Sequence, residues 1–330
     1  MEKVADRELQ PAALQTSGSG ATILNTMAPV VLPRSSIFAR TLLQHGRRQV
    51  RLSSTSSGPL VKLTSIPAPH CGSIRILSLN RPESRNAISK ALLAELAHHV
   101  NQIANEGEKQ STRALIVASE VDTSFCAGAD LKERATFTPE QTTEFLSSLR
   151  GTLSTLSRLP IPTISAVSSL AFGGGLELAL STHLRVFGSN AVVALPETRL
   201  GIIPGAGGTY RLPALVGLNR ARDLVLTGRR VAGPEAYFLG LCDRLVQVLP
   251  EEMEQEGKPR EKVLAEAVRL ATEICEGAPV AIAAAMAAVE GCAGGEAVEN
   301  QMYDLVVKTE DRNEALRAFR EKRKPVFKGR

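Results

Sequence analysis

Chemistry concentrates in one stretch, Ala171–Thr209, which reads AFGGGLELALSTHLRVFGSNAVVALPETRLGIIPGAGGT. Its three consecutive glycines, Gly173–Gly175, run directly into a helical pattern that begins near Leu176. Glycines there let the backbone bend sharply and approach a ligand closely. A helix N-terminus leaves free N–H donors and a partial positive charge, so it can bind an oxyanion. Glu177 falls in the first turn of that helix, and Glu197 follows a strand and a proline, ahead of a second glycine-rich turn. Two carboxylates near an oxyanion-binding turn suit general acid/base work on a carbonyl compound. Each glutamate alone has a plainer explanation, because acid in a first helical turn complements the helix dipole. The combination is what points to chemistry.

Other sites are missing from the sequence, which narrows the field. It has no G-x-x-x-x-G-K-[ST], no H-E-x-x-H and no G-x-S-x-G. Gly205, Gly207 and Gly208 lack the last glycine and the strand-plus-acid context of a dinucleotide fingerprint. The adjacent His98 and His99 point apart on a helix and read as a solvated face, and no metal site is expected. The five cysteines are odd in number, far apart and without a C-x-x-C pair, which argues for a reducing compartment. Cys126 reads as a small core residue. No apolar run is long enough to span a membrane, and the alanine-rich run Ala278–Val289 reads as a buried helix.

The elements that must position the glutamates alternate. Ser73–Leu79, Ala114–Ala118, Thr163–Val167, Leu184–Phe187, Val192–Leu195 and Asp243–Val248 have strand patterns. Ala87–Ile103 and Glu140–Leu156 are apolar at helical spacing, and helices dominate after Gly208. This is an α/β chain with right-handed crossovers and a helical C-terminal subdomain over 251–330, the charged Glu251–Lys262 stretch serving as hinge.

Charge sorts the N-terminus from the rest. The chain of 330 residues carries +5, of which residues 1–55 hold +4 and residues 56–330 only +1. From Met27 to about Lys62 the sequence is rich in Arg and Ser and free of acid, the composition of a mitochondrial transit peptide. Residues 1–62 are therefore expected to be a leader, with Met27 the effective start because Glu2, Asp6 and Glu8 oppose import. The expected location is the mitochondrial matrix. The basic pI says where the protein goes, and little about what it does.

Over about residues 70–330 the chain resembles the enoyl-CoA hydratase/isomerase (crotonase) family. The resemblance rests on an ordered set: Leu79-Asn80-Arg81-Pro82 with Asn86-Ala87, FCAGADLKE at 125–133, PIPTISA at 160–166, FGGGLELAL at 172–180, PETRLGIIPGAGGTYRL at 196–212, and the ending Ala318–Pro325. The phrasing is most similar to the mitochondrial methylglutaconyl-CoA hydratase-like branch. The resemblance implies a crotonase-like spiral of ββα units, with a core over 70–250 and a C-terminal trimerisation subdomain.

It also implies roles. The backbone N–H groups of Ala129 and Gly174 would form an oxyanion hole for a thioester. Glu177 would activate water for attack at Cβ, and Glu197 would deliver a proton to Cα. Coenzyme A, as part of the substrate and with no separate cofactor, would run along Ala127 and Ala129, Asp130, Leu131 and Lys132. Phe319 and Lys322 would come from a neighbouring subunit of a homotrimer or hexamer, and Arg85 is a weaker candidate for the diphosphate. A methylglutaconyl substrate would need a cation for its distal carboxylate, for which Arg134 and Arg199 are candidates. A short-chain enoyl-CoA is the other substrate open to a hydratase.

The sequence departs from the family pattern at Ser168-Ser169, where Asn/Asp-Gly is usual, at Thr182-His183, where Cys-Asp is usual, and at Tyr210, where Gln is usual. These bear on substrate fit and rate. Three alternatives stay open: an isomerase of the same family, an RNA-binding protein with weak hydratase activity, and a catalytically weakened scaffold. RNA binding in the named branch goes with a lysine-rich first helix. Ala87–Ile103 holds only Lys90, which argues against a nucleic-acid partner.

Overall fold

A computed structural model describes residues 58–106 and 111–330. The expected leader, apart from its last five residues, lies outside the described residues. Among the described residues the strands are β1 (Val61–Pro67), β2 (Ser73–Leu79), β3 (Thr112–Ser119), β4 (Ser124–Cys126), β5 (Thr163–Val167), β6 (Leu170–Phe172), β7 (Leu184–Gly188), β8 (Val192–Ala194), β9 (Val231–Ala232) and β10 (Arg244–Val246). The helices up to the C-terminal region are α1 (Lys90–Ala104), α2 (Leu131–Arg134), α3 (Pro139–Ser157), α4 (Gly174–Leu180), α5 (Gly208–Val216), α6 (Leu218–Thr227) and α7 (Gly233–Leu239). There follow α8 (Pro250–Met253), α9 (Lys258–Cys275), α10 (Pro279–Glu290), α11 (Glu296–Val307) and α12 (Glu310–Glu321). The α/β expectation holds.

Two sheets share these strands. One has six, in the order β1-β2-β3-β5-β7-β10, and the other four, in the order β4-β6-β8-β9. Among the described residues only β1 with β2, and β8 with β9, pair antiparallel. Between β3 and β8 the chain alternates sheets, a long-sheet strand followed by a short-sheet strand, and helices α3, α4 and α5 follow successive pairs. That is a repeating ββα turn, as the resemblance implies.

The central strands are buried on both faces, so they read as continuous apolar runs. Leu77, Leu115, Val117, Val167 and Phe187 face one core, packed with Leu92, Leu96, Phe145 and Leu153 of α1 and α3. Alternate residues Ile74, Ile76, Ile116, Ile164 and Val186 face a second core, closed by Val263, Ala267 and Ala271 of α9. Helix α9, which falls within the 251–330 range expected to form the helical C-terminal subdomain, packs on the sheet. The expected hinge, Glu251–Lys262, holds α8 and the start of α9.

Two expectations need correction. Helix α10 is where the alanine-rich run predicts it, but it is not buried: only Ala284 is enclosed, and Val289 is 73% exposed. Small side chains let a helix lie on a surface as readily as in a core, so composition alone did not decide its environment. Strand β1 was not anticipated. It is an edge strand, and Leu63 is partly exposed on it, so its sequence lacks the apolar face that marks β2. Among the described residues no single helix is long and apolar enough to cross a membrane.

Candidate active site

The site begins at the turn between β6 and α4. Gly173 has φ 51° and ψ −122°, a conformation essentially restricted to glycine. It is held by its N–H donating to the Ala194 carbonyl (2.9 Å). Gly175 packs so tightly on the Cys126 carbonyl that any Cβ would overlap it. The glycine run therefore presses the start of α4 against the end of β4. Beyond β4 the loop is stitched down by Ile88 N–H to Gly128 O (2.7 Å) and Asp130 N–H to Ile88 O (3.1 Å). A Cβ on Gly128, whose φ is 96°, would sit 3.4 Å from the Gly174 nitrogen, and one on Gly174 would sit 3.7 Å from the Ala129 nitrogen. The Ala129 and Gly174 amides are thus neighbours, and among the described residues neither donates to an acceptor.

Both glutamates reach the same place. A cavity of about 540 Å³ is lined by Ala129, Gly174, Glu177 and Glu197, with apolar walls from Leu131, Phe145, Leu146, Leu149 and Ile203. Glu177 is almost fully buried, and its Oε1 accepts from Ala206 N–H (2.7 Å) and Gly208 N–H (2.8 Å). The second glycine turn is thus the cradle of the first glutamate. Glu197 opens the short 3-10 turn Glu197–Leu200, and its buried Oε2 has no hydrogen-bond partner among the described residues.

The two carboxyls differ in their surroundings. Burial pushes Glu177 above the usual range, but the Gly208 and Ala206 amides and the charges of Arg211 and Arg150 pull the other way. Burial and then the repulsion of Glu177 push Glu197 up to about 7, opposed only by its own backbone N–H. Unequal environments of this kind separate a base from an acid. They also carry a stability cost. The fold favours protonated Glu197, so stability is fully present below the ordinary carboxylate pKa and declines as pH rises from there to about 7. Glu197→Gln is expected to be more stable than the parent at pH 8 by on the order of 1–2 kcal/mol, after solvent screening. The difference should vanish at pH 4, and urea unfolding at the two pH values checks it.

The remaining sequence-derived residues divide. Ala127, Ala129 and Leu131 line the cavity, whereas Arg85, Asp130, Lys132, Phe319 and Lys322 do not. Asp130 caps α2, accepting from Lys132 N–H (3.1 Å) and Glu133 N–H (3.2 Å), and pairs with Arg81 (2.7 Å). Its burial is outweighed by Arg81 and these amides, which hold its carboxyl below the usual range. Arg85 closes a short 3-10 turn with φ 52°. Phe319 and Lys322 stand exposed at the end of α12. Of the two candidate cations, Arg134 lines the cavity, while Arg199 turns away to the Thr227 carbonyl (2.8 Å). Arg150, not singled out from the sequence, lines the cavity as well. It is an exposed charge one helical turn beyond Leu146 on α3, and nothing in the sequence distinguished it from other surface arginines.

Burial pushes the Cys126 thiol up to about 12, in keeping with a core residue. None of the departures from the family pattern lines the cavity. Ser169 adopts φ 86°, a conformation that suits glycine, and still accepts from Val192 N–H (3.0 Å), so the turn before β6 survives its serine. The strain costs on the order of 1 kcal/mol. His183 Nδ1 lies 2.7 Å from Thr163 Oγ1, its Nε2 lies 3.2 Å from Glu290, and Tyr210 is exposed.

Comparison with known proteins agrees with this geometry. The family model described as enoyl-CoA hydratase/isomerase matches residues 70–330. An enoyl-CoA isomerase/hydratase of Zymoseptoria tritici is 63% identical, over 84% of this chain and 91% of that protein. The mitochondrial methylglutaconyl-CoA hydratase 1 of Pyricularia oryzae is 54% identical, over 93% of this chain and 98% of that protein. The crystal structure of an enoyl-CoA hydratase from Bacillus anthracis superposes with a TM-score of 0.73 at 38% identity, covering 82% of this chain and all of that one. A ββα spiral, a paired-amide turn and two buried glutamates in one cavity, together with these matches, place the chain in the enoyl-CoA hydratase/isomerase family.

Proposed function

We propose that this enzyme adds water across the 2,3 double bond of a 2-enoyl-CoA, with coenzyme A entering as part of the substrate and no further cofactor. The observation that carries the reading is that both glutamates face one cavity with two neighbouring backbone amides. The thioester oxygen docks on the Ala129 and Gly174 N–H groups, which stabilise the enolate charge as it grows. Glu177, kept more ionised by its two amide donors, takes a proton from water as the oxygen attacks Cβ. Glu197, the more protonated, supplies the proton at Cα. An isomerase needs one acid/base at this position, and the second buried carboxylate favours hydration. The relative whose name pairs isomerase with hydratase keeps a double-bond shift as the second reading.

Relatives named as mitochondrial support reading the acid-free N-terminal stretch as an import leader to the matrix. The open apolar face of α10 supports a homotrimer or hexamer, in which the exposed Phe319 and Lys322 serve a neighbour's coenzyme A. The test is direct. Purified protein mixed with crotonyl-CoA is expected to bleach the conjugated enoyl absorbance and yield 3-hydroxybutyryl-CoA. Turnover of a 3-enoyl-CoA to the 2-enoyl isomer, without hydration, would sink the hydratase reading in favour of the second.

A further inference from the structure

We infer that Arg211 is a positioning residue for Glu177, gripping from behind the glycine turn whose N–H groups hold that carboxylate. This rests on the hydratase reading and adds the residue that keeps its base in place. The turn has two faces. Its inner face gives Ala206 N–H (2.7 Å) and Gly208 N–H (2.8 Å) to Glu177 Oε1. On its outer face Arg211 Nη1 donates to the Ala206 carbonyl (2.9 Å), which lies between those two donors along the chain. The guanidinium packs so close to Gly207, whose φ is 118°, that a Cβ there would overlap Nη1. Its other outer nitrogen stands 3.5 Å from the Leu153 carbonyl and from Ser157 Oγ, both on α3. The Tyr210 ring covers it, with the guanidinium carbon 5.0 Å from the ring centroid. One partly buried side chain of α5 thus fixes the turn against α3.

Arg150 adds a second hold. Its Nε donates to the Gly205 carbonyl (2.6 Å), and the N–H of that same peptide is the Ala206 donor. A peptide bonded to a cation at its oxygen is polarised, which strengthens its N–H as a donor. Arg150 is exposed and its charge is screened, so Arg211 is the principal residue. Around Glu177 stand Arg211 and Tyr210 of α5, Arg150 of α3, Glu197 of the 3-10 turn, and Arg134 across the cavity. Cys126 of β4 is neutral, since burial pushes its thiol up to about 12. Burial raises the Glu177 carboxyl, and the Gly208 and Ala206 amides, then Arg211 and Arg150, hold it down. Removing the Arg211 cation therefore raises that carboxyl further and leaves less of the base ionised at a given pH.

The experiment follows kcat and KM for crotonyl-CoA from about pH 5 to about pH 9 in the full chain, Arg211→Met, Arg211→Lys and Arg150→Met. The same proteins, labelled with carbon-13 at the glutamate carboxyls, give the Glu177 titration by NMR, assigned by its loss in Glu177→Gln. Arg211→Met should lower kcat about 10- to 100-fold, with KM changed by no more than about twofold. The acid limb of kcat and the Glu177 titration should move upward together by ~0.5–1 pH unit, after solvent screening. Arg211→Lys keeps the charge and should bring both back toward the parental pH. Arg150→Met should shift them less, with the same sign. Added to Glu177→Gln, Arg211→Met should cost less than about threefold, because the group it positions is gone. A lowered kcat with the limb and the titration unmoved overturns the inference and leaves Arg211 a tie between α5 and α3. So does an undiminished loss in the Glu177→Gln background. If Arg211→Met does not fold, Arg211→Gln, which removes the charge and keeps a donor, is read in the same way. A parent whose Glu177 titration responds to Arg211, but which does not hydrate crotonyl-CoA, brings down the hydratase reading and leaves the link between the two residues standing.

Discussion

Glu177→Gln is expected to cut kcat for hydration of a 2-enoyl-CoA by about 10³-fold, and Glu197→Gln by a similar factor, with both variants folded. The fold should survive because glutamine keeps the acceptor. At Glu177 the amide oxygen can still receive the Ala206 and Gly208 N–H groups, so the glycine turn stays closed. What is lost is basicity toward water at one site and a transferable proton at the other. The two losses should not add, because acid and base serve one transition state. The double variant is expected to be little slower than either single one, with residual catalysis from the amide pair. Stopped-flow or coupled assays of all three, with circular dichroism to confirm folding, make the comparison. Near-parental turnover in either single variant would refute the pairing.

The pH profile follows from the same asymmetry. In the proposed assignment Glu197 must carry a proton to deliver it, and burial pushes its carboxyl up to about 7. The rate is therefore set to fall as pH rises past neutrality, in the window where Glu197 empties, while Glu177 requires the opposite form and limits the acid side.

Much of this was legible in the sequence, for identifiable reasons. Ser73–Leu79 and Thr163–Val167 were bounded correctly because their strand patterns end at turn residues or polar breaks. The candidate segment stood out because glycine is costly unless a backbone needs it, and Gly173 and Gly175 do. Other parts were hidden. The four-stranded sheet is made of two- and three-residue strands that are too short to carry a period. Asn86 belonged to a matching motif but its work was not legible: its Nδ2 donates to Ser119 Oγ (2.8 Å) and Phe125 O (2.9 Å), tying the turn before α1 to β3 and β4. Arg150 was hidden because a charge on an amphipathic helix looks like any solvated one until the opposing loop is in place. Helix α10 misled for a related reason: a run of alanines is apolar on every face, and its sequence does not say which face, if any, this chain covers.

The second large effect isolates the backbone donors from the carboxylates. Gly174→Pro is expected to lower kcat by about 10²- to 10³-fold while leaving Glu177 and Glu197 chemically intact. Gly174 is the first residue of α4, a position whose N–H has no helical partner and where proline's fixed φ is tolerated. The substitution removes the donor, and the ring then occupies the direction in which the thioester oxygen must approach. The comparison is Gly174→Ala, which keeps the N–H and places a Cβ 3.5 Å from Ile88 Cδ1, an ordinary contact. Alanine should lose far less than proline. If the two fell equally, volume at the turn would be the cause and the amide would have no special part. If proline alone collapsed while the pH dependence set by Glu197 persisted in its residual rate, the enolate charge would rest on the backbone and the proton on the side chain. That division would explain how two residues as plain as Ala129 and Gly174 share a site with the two glutamates.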